Sequence, residues 1–465
     1  MPKLDSDRLF PVEPSVRGIA RELHAGVSSL PILSPHGHCD PAWFADDAPF
    51  SNPAQLFVTP DHYVFRMLFS QGVALDRLGV ARADGGPVET DPRAIWRVLA
   101  AHWHLFRATP SRMWIDHALW EVFGVEEELN ADTADAVYDA VDARLAEDAY
   151  RPRALFERFG IEALATTDAA LSPLEAHEAI AASGWGGRVI PTYRPDACVD
   201  PEADGFAGNV AALGEMTGED TATWAGYLAA HRVRRAAFAA MGATATDHGH
   251  PTARTADLDD PAALFARVLA GPTPQEAELF RAQMLTEMAR MSLDDGLVMQ
   301  IHAGSVRNHS PAMLAAFGPD KGFDIPAPTD WVTALRPLLA AHGTDPRLRV
   351  ILFTLDETAY SRELAPLAGV YPSLLLGPAW WFLDSPEGMR RYREAVTETA
   401  GFYNTAGFND DTRAFCSIPA RHDVARRVDC AHLATLVATG RLSEPDAHEV
   451  ATQLAYGLAK RAYRL

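Results

Sequence analysis

Short apolar runs that end in polar residues recur along the chain, and longer helix-like stretches separate them. Strands of a parallel sheet have this appearance because helices cover the sheet. Eight runs are predicted as strands, at residues 32–38, 161–167, 188–193, 243–247, 297–302, 348–354, 373–378 and 402–408. Eight strands alternating with helices predict an α/β fold, a (β/α)8 barrel of the TIM type, whose functional side chains gather at the carboxyl ends of the strands.

The spacing of the predicted strands indicates two insertions. Residues 41–160 form too long a stretch for an ordinary connection between the first two strands, so they are predicted to be an inserted helical subdomain. Residues 1–40 then form an amino-terminal segment with the first strand, and residues 161–465 form the rest of the barrel. A second helical insertion is expected near 197–242. Three helix starts have capping signals, at Asp91, Thr273 and Ser443.

Composition narrows the classes of partner. The 465 residues are 48% hydrophobic, which is enough for a large core, and the net charge of −21 argues against nucleic acid or an anionic membrane as a partner. Four cysteines without CxxC spacing, and an amino terminus without a long apolar run, favour a cytoplasmic protein. The uncharged stretch 364–383 is interrupted by prolines and is therefore not expected to span a membrane. The sequence leaves the oligomeric state open, a homo-oligomer included.

The first predicted strand ends in two histidines, His36 and His38. Residues two apart on a strand point to the same face, so this pair could hold one metal ion. Asp411, after the eighth strand, would lie beside them in a closed barrel and could be a further ligand. The alternatives are unrelated polar loop residues for the histidine pair, and a loop carboxylate or helix N-cap for Asp411.

Other candidate side chains follow the remaining strands. His302 follows the fifth strand and could be a metal ligand, an acid/base group or a core imidazole. Trp380 and Trp381 could offer a flat face to a ligand or could pack in the core. Arginines follow several strands, and a group of guanidinium forks around one mouth indicates a pocket for a carboxylate, although any single one could form a surface ion pair. These arginines are Arg194, Arg307, Arg413 and Arg421.

Several longer motifs are distributed in order over nearly the whole chain. They are SPHGHCDP (34–41), LFVTPDHYVFRMLFSQGV (56–73), IPTYRPD (190–196), TDHG (246–249), MQIHAGSVRN (299–308), FGPDKGFD (317–324), GPAWWF (377–382), GFNDDTRAF (407–415) and ARHD (420–423). Together they resemble the motifs of the uronate isomerase family, also called glucuronate isomerase, within the amidohydrolase superfamily. The resemblance implies a distorted barrel with a helical insertion and one divalent metal, usually zinc. It also implies interconversion of D-glucuronate with D-fructuronate and of D-galacturonate with D-tagaturonate.

Matched position by position, the resemblance implies metal binding by His36, His38 and Asp411. It also draws attention to Tyr63 in the Asp-His-Tyr motif, to Arg194 in Arg-Pro-Asp and to Arg413 in Asp-Thr-Arg. The strand-two sequence TTDAA and the later LDETAY differ from the family pattern, which leaves the preferred uronate open.

The chemistry of the predicted reaction assigns roles to these residues. Isomerisation moves a proton between carbon 2 and carbon 1 through a cis-enediol. Asp411 is predicted to carry the proton, and Tyr63 and Arg413 are predicted to hydrogen-bond the developing oxyanion. The substrate carboxylate is predicted to bind one or more of Arg194, Arg413 and Arg421, while His302 and Trp381 are expected to contact the substrate.

Two other functions remain open at the level of sequence. A metal-dependent hydrolase or deaminase on the same barrel is the nearer alternative, but its usual histidine on the sixth strand is missing from ILFTLDE. The other alternative is a non-catalytic protein that binds sugar acids. An activity assay separates both from an isomerase.

Overall fold

The computed structural model describes residues 4–465 and contains a curled parallel sheet surrounded by helices. Residues 1–3 of the predicted segment 1–40 lie outside the described part. The strands are β1 (Ile32–Ser34), β2 (Ile161–Ala169), β3 (Val189–Arg194), β4 (Ala245–His248), β5 (Val298–Ile301), β6 (Ser305–Val306), β7 (Ile325–Pro326), β8 (Val350–Leu352) and β9 (Leu374–Leu376). Seven of them form one sheet in the order β1-β2-β3-β4-β5-β8-β9, and every neighbouring pair is parallel.

Consecutive strand order in a parallel, curled sheet is the order of a barrel, as predicted. The predicted eighth strand, 402–408, is wrong as a regular strand, because only Thr405 forms a bridge to Leu376 on β9. Gly407 ends this pairing: its φ is 77°, and a Cβ there would lie 2.7 Å from the backbone nitrogen of Ala459. Packing against the carboxyl-terminal helices thus distorts the barrel at its seam. Beyond the seam, the backbone N–H of His38 donates to the carbonyl of Thr412, at 3.0 Å.

Helices cover the outside of the sheet. They are α1 (Pro14–Val27), α2 (Pro41–Asp46), α3 (Pro53–Phe57), α4 (His62–Ser70), α5 (Pro92–Ala101), α6 (Pro110–His117), α7 (Ala134–Leu145), α8 (Pro152–Arg158), α9 (Glu175–Ala182), α10 (Asp196–Val199), α11 (Phe206–Thr217), α12 (Trp224–Ala240), α13 (Pro261–Ala270), α14 (Pro274–Asp295), α15 (Pro311–Phe317), α16 (Trp331–His342), α17 (Ala365–Ala368), α18 (Pro386–Ala400), α19 (Ile418–Ala438), α20 (Glu444–Thr452) and α21 (Leu458–Ala462). The three predicted helix starts are confirmed. Asp91 caps α5, Thr273 forms a full capping box on α14, and Ser443 caps α20.

The two long connections contain helices. Residues 41–160 carry α2 to α8, and residues 197–242 carry most of α10 together with α11 and α12. Among the described residues, no helix is long and apolar enough to cross a membrane. The stretch 364–383 instead contains α17, β9 and a short 3-10 turn. The antiparallel pair β6–β7 was not predicted, because each of its strands has only two residues.

The last residues of the chain close the barrel interior. The side chain of Tyr463 is buried, and its hydroxyl donates to the Oε1 atom of Gln300 on β5, at 3.2 Å. Asn409 donates to the same hydroxyl, also at 3.2 Å. This contact ties β5 and the segment after β9 together, so it holds the loops that follow both of them in place.

Candidate active site

Side chains that follow the carboxyl ends of the strands line one cavity of about 530 Å³. This volume is typical of a pocket for a small molecule. Loops after the strands and the start of α4 both contribute to its wall. The sequence-predicted residues on this wall are His36, His38, Tyr63, Arg194, His302, Arg307, Trp380, Trp381, Asp411 and Arg413.

His36, His38 and Asp411 meet at one point of the cavity. The Oδ1 atom of Asp411 lies 3.0 Å from Nε2 of His38 and 3.4 Å from Nε2 of His36. The three ligand atoms lie within 4.8 Å of one another, and the Asp411 Oδ1 atom is buried without a hydrogen-bond partner among the residues that the structure describes. Two imidazoles and a carboxylate that converge on an unsatisfied oxygen fit a divalent metal. These residues could therefore hold such an ion.

Asp411 is fixed by its backbone and by an indole. Its φ is 39°, in the left-handed region that non-glycine residues seldom adopt. The Nε1–H of Trp380 donates to its Oδ2 atom. Burial alone would raise the pKa of Asp411, but His36 and His38 outweigh it and hold the pKa well below the usual range. Asp411 is not a helix N-cap, since Ser417 precedes α19.

Asp247 at the end of β4 was not predicted as a site residue, although it lies at the centre of the polar network. Its side chain is fully buried, with Oδ1 2.8 Å from Nε2 of His302 and 4.0 Å from Nδ1 of His36. Its Oδ2 atom lies 3.4 Å from Nη1 of Arg194. Burial acts to raise the pKa of Asp247, but His302, His36 and Arg194 together lower it strongly. The sequence signal that could have identified Asp247 is its position as an acidic residue at the end of the predicted fourth strand.

His302 faces Asp247 rather than Asp411. Its ring also packs 5.1 Å from the ring of Trp380 and 6.2 Å from the ring of His36. The His302 side chain is not part of the group of ligand atoms around Asp411. The geometry therefore argues against His302 as a direct metal ligand, which was one of the three roles left open by the sequence.

The predicted arginines differ in their surroundings. Arg194 is bound by Asp196, whose Oδ2 accepts from its Nε at 2.8 Å, and by Asp247. Arg307 pairs with Asp324 at 2.9 Å, and its guanidinium lies 5.1 Å from the ring of Trp381. Arg413 lines the cavity and, among residues 4–465, has no carboxylate within ion-pair distance. Arg413 is thus the guanidinium that is free to bind an anionic ligand.

The structure does not bring Arg421 to the cavity, in contrast to the sequence expectation. Its side chain is 1% exposed and forms an ion pair with Asp384. The guanidinium lies over the ring of Trp114, 3.4 Å from its centroid, and 5.7 Å from the ring of Tyr63. Arg421 lies in the first turn of α19, which the inserted helices cover, so the position of the residue along the chain did not reveal its burial.

Tyr63 reaches the cavity from the start of α4, where Asp61 is the N-cap. Burial raises the pKa of the Tyr63 phenol, so the side chain is a hydrogen-bond donor at neutral pH. His62 stacks on Tyr63, with the ring centroids 4.6 Å apart, and neither of its ring nitrogens has a hydrogen-bond partner within residues 4–465. His62 belongs to the Asp-His-Tyr motif but was not predicted as a site residue.

Comparisons with known proteins agree with this site. A family model described as glucuronate isomerase matches residues 16–463. The chain belongs to the glucuronate isomerase family. It is 65% identical to a uronate isomerase of Mesorhizobium japonicum over 464 residues, which cover 99% of each chain. The crystal structure of glucuronate isomerase from Caulobacter crescentus has 59% identity and a TM-score of 0.98, with 99% of this chain and 97% of that chain covered.

A uronate isomerase structure from Thermotoga maritima retains the same architecture at lower identity. It has 26% identity and a TM-score of 0.92, with both chains covered completely. The predicted family, the distorted (β/α)8 barrel and the isomerase class are therefore confirmed. The match over the whole chain favours an isomerase over the two alternatives that the sequence left open.

Proposed function

We propose that this family member interconverts D-glucuronate with D-fructuronate and D-galacturonate with D-tagaturonate. A proton moves between carbon 2 and carbon 1 through a cis-enediol. One observation carries the proposal: an ionised carboxylate, that of Asp411, lies beside two imidazoles and near the unpaired guanidinium of Arg413 in one cavity. This set contains a proton carrier and a cation for the charge that develops.

Asp411 is the residue that transfers the proton in this mechanism. Its low pKa keeps it ionised at neutral pH but also makes it a weak base, so removal of the proton from carbon 2 depends on Arg413 and Tyr63, which stabilise the enediolate and make that proton more acidic. The same low pKa makes the protonated form a strong acid, so the proton returns readily to carbon 1. The hydrogen bond from Trp380 leaves Oδ1 as the free oxygen and restricts rotation of the carboxylate.

Two donors serve the oxyanion of the enediol. Arg413 has no competing carboxylate among residues 4–465, and the Tyr63 phenol remains protonated because burial raises its pKa. Arg194 binds the substrate carboxylate with the N–H groups that Asp196 and Asp247 leave free. Arg421 acts indirectly, since it packs against the ring of Trp114 behind Tyr63 and does not line the cavity.

We infer that the cation of this site is zinc. His36, His38 and Asp411 would hold it, and nitrogen and carboxylate ligands of this kind suit that ion. When bound, a divalent cation supplies Lewis acidity that polarises the substrate carbonyl and stabilises negative charge on oxygen. Asp411 would then be both ligand and proton carrier.

The cysteines support a cytoplasmic location for the reaction. All four are free and buried: Cys39, Cys198, Cys416 and Cys430. Free cysteines without disulfides are usual in a reducing compartment.

Proton NMR in deuterated water tests the reaction. The protein is incubated with D-glucuronate or D-galacturonate, and deuterium is expected at carbon 1 of the ketose. Asp411→Asn keeps the shape of the side chain but removes its charge, and we expect it to abolish turnover. Glu398→Gln changes an exposed carboxylate that pairs with Arg441 and serves as the matched control. Absence of a ketose from either uronate with the metal-loaded protein contradicts the proposal.

A further inference from the structure

A second group of metal-binding residue types lies beside the active site. Asp196 begins α10, His248 is the last residue of β4, and His250 follows that strand. One ligand atom from each lies within 4.8 Å of the others. The sequence His248-Gly249-His250 repeats the His-Gly-His pattern of the first strand end, but it belongs to a different strand and meets a different carboxylate.

The imidazoles of this second group have unsatisfied nitrogens. His248 is fully buried, and its Nε2 contacts the hydroxyl of Thr246 at 3.0 Å, which leaves Nδ1 without a partner among residues 4–465. His250 is 4% exposed, and neither of its nitrogens has a hydrogen-bond partner in the described part of the chain. A buried polar atom without a partner costs roughly 1–3 kcal/mol, so such atoms usually contact an ion or an ordered water.

The surroundings favour a cation. The carboxylate of Asp196 accepts from the backbone N–H of Gly249, at 3.2 Å, and from Arg194, and both contacts hold it in place. Next to this group, a single arginine, Arg281, is shared among the carboxylates of Asp200, Glu202 and Glu278. The local excess of negative charge stabilises a bound cation.

The second group borders the active-site cavity. Asp196 and Gly249 are part of the cavity wall, whereas the two imidazoles lie behind it. Gly249 is needed at this position, because a Cβ there would lie 2.5 Å from Nη2 of Arg194 and 2.9 Å from Oδ2 of Asp196. Asp196 is thus the member of the second group that lines the cavity.

We propose that Asp196, His248 and His250 bind a second divalent cation of the late first transition row, such as Zn²⁺. Two imidazoles and one carboxylate suit these ions better than Mg²⁺ or Ca²⁺, which prefer oxygen ligands. The site shares no ligand with the group formed by His36, His38 and Asp411. It does not depend on the proposed reaction, because metal binding is measured without substrate.

Metal content after equilibrium dialysis against buffered Zn²⁺ tests the proposal. We expect two equivalents in the wild type, one in His250→Gln, one in His38→Gln and none in the double variant. His432→Gln changes a histidine outside both groups and is expected to retain two equivalents. Equal zinc content in the wild type and His250→Gln overturns the proposal.

A second measurement keeps the test decisive if His250→Gln does not fold. His38→Gln, in which the first group has lost a ligand, is loaded with Zn²⁺ and studied by X-ray absorption. One retained equivalent with the scattering pattern of about two imidazoles supports the site. Absence of retained zinc, or zinc without imidazole scattering, overturns it.

Discussion

The substitution Trp380→Phe tests whether a single hydrogen bond holds Asp411 in its working orientation. The indole is 4% exposed, and its Nε1–H donates to the Oδ2 atom of Asp411. Phenylalanine preserves the apolar contacts with Phe353 and His302 but removes the donor. The carboxylate would then lose the side-chain donor that fixes its second oxygen.

The expected loss follows from the charge of the acceptor. Hydrogen bonds to charged groups contribute roughly 1.5–3 kcal/mol, and about 1.4 kcal/mol corresponds to a tenfold change. Asp411 also has a φ of 39°, a conformation that costs of order 1–3 kcal/mol and must be maintained by its neighbours. We therefore expect kcat to fall by about 10- to 100-fold and the affinity for the metal to fall in the same direction.

Steady-state kinetics with D-glucuronate, together with zinc dissociation measured against a competing chelator, give the two readouts. Trp331→Phe is the matched control, because Trp331 is fully buried and its indole nitrogen has no hydrogen-bond partner. The control is expected to lower the unfolding temperature without changing the affinity for zinc. If Trp380→Phe keeps kcat and zinc affinity within twofold of the wild type, Trp380 does not position Asp411.

Three further predictions concern other residues. Arg413→Met should lower kcat by roughly 10²–10³-fold, as expected for loss of an oxyanion donor, and unchanged turnover would exclude that role. Gly249→Ala should reduce kcat/KM more than Gly37→Ala, because its Cβ would lie 2.5 Å from Arg194, whereas the nearest atom at Gly37 is 3.4 Å away; equal effects would contradict this steric argument. Burial, with help from Arg235, lowers the pKa of His231 to about 3 in the folded protein. As the pH falls below about 6.5, the unfolded chain therefore binds more protons than the folded protein, and the fold loses stability. Between pH 7 and 5, the wild type should lose about 2 kcal/mol more of its unfolding free energy than His231→Gln, as measured by denaturant titration. Equal losses would mean that His231 is not buried as a neutral group.

Much of the site could be predicted because parallel strands bring their carboxyl ends to one edge. His36 and His38 follow β1, and Asp411 follows the segment beside β9. These positions are fixed by strand order alone, so the sequence could place the three residues together before the side-chain distances were known. Arg413 followed from the same reasoning.

The sequence could not separate a cavity residue from a buried one on the inserted and outer helices. Arg413 lies in the loop before α19, and Arg421 lies in the first turn of that helix. The Arg421 side chain is nevertheless buried in the core, where it pairs with Asp384. Trp380 and Trp381 both line the cavity, yet the first is 4% exposed and hydrogen-bonded to Asp411, while the second is more exposed and has a φ of 52°. Such differences depend on tertiary packing and backbone conformation, which residue spacing does not report.

The local pairing of charges explains how an acidic protein can accept an anionic substrate. The net charge is −21, but charges farther apart than about 8 Å are largely screened at physiological salt. Within the cavity, Asp247 is compensated by Arg194 and His302, and Asp411 lies between two imidazoles. Arg413 has no carboxylate partner among the described residues, so its charge remains available to a ligand. The cavity can therefore attract a uronate while the outer surface repels anions, and adding a carboxylate beside Arg413 would remove this advantage without changing the fold.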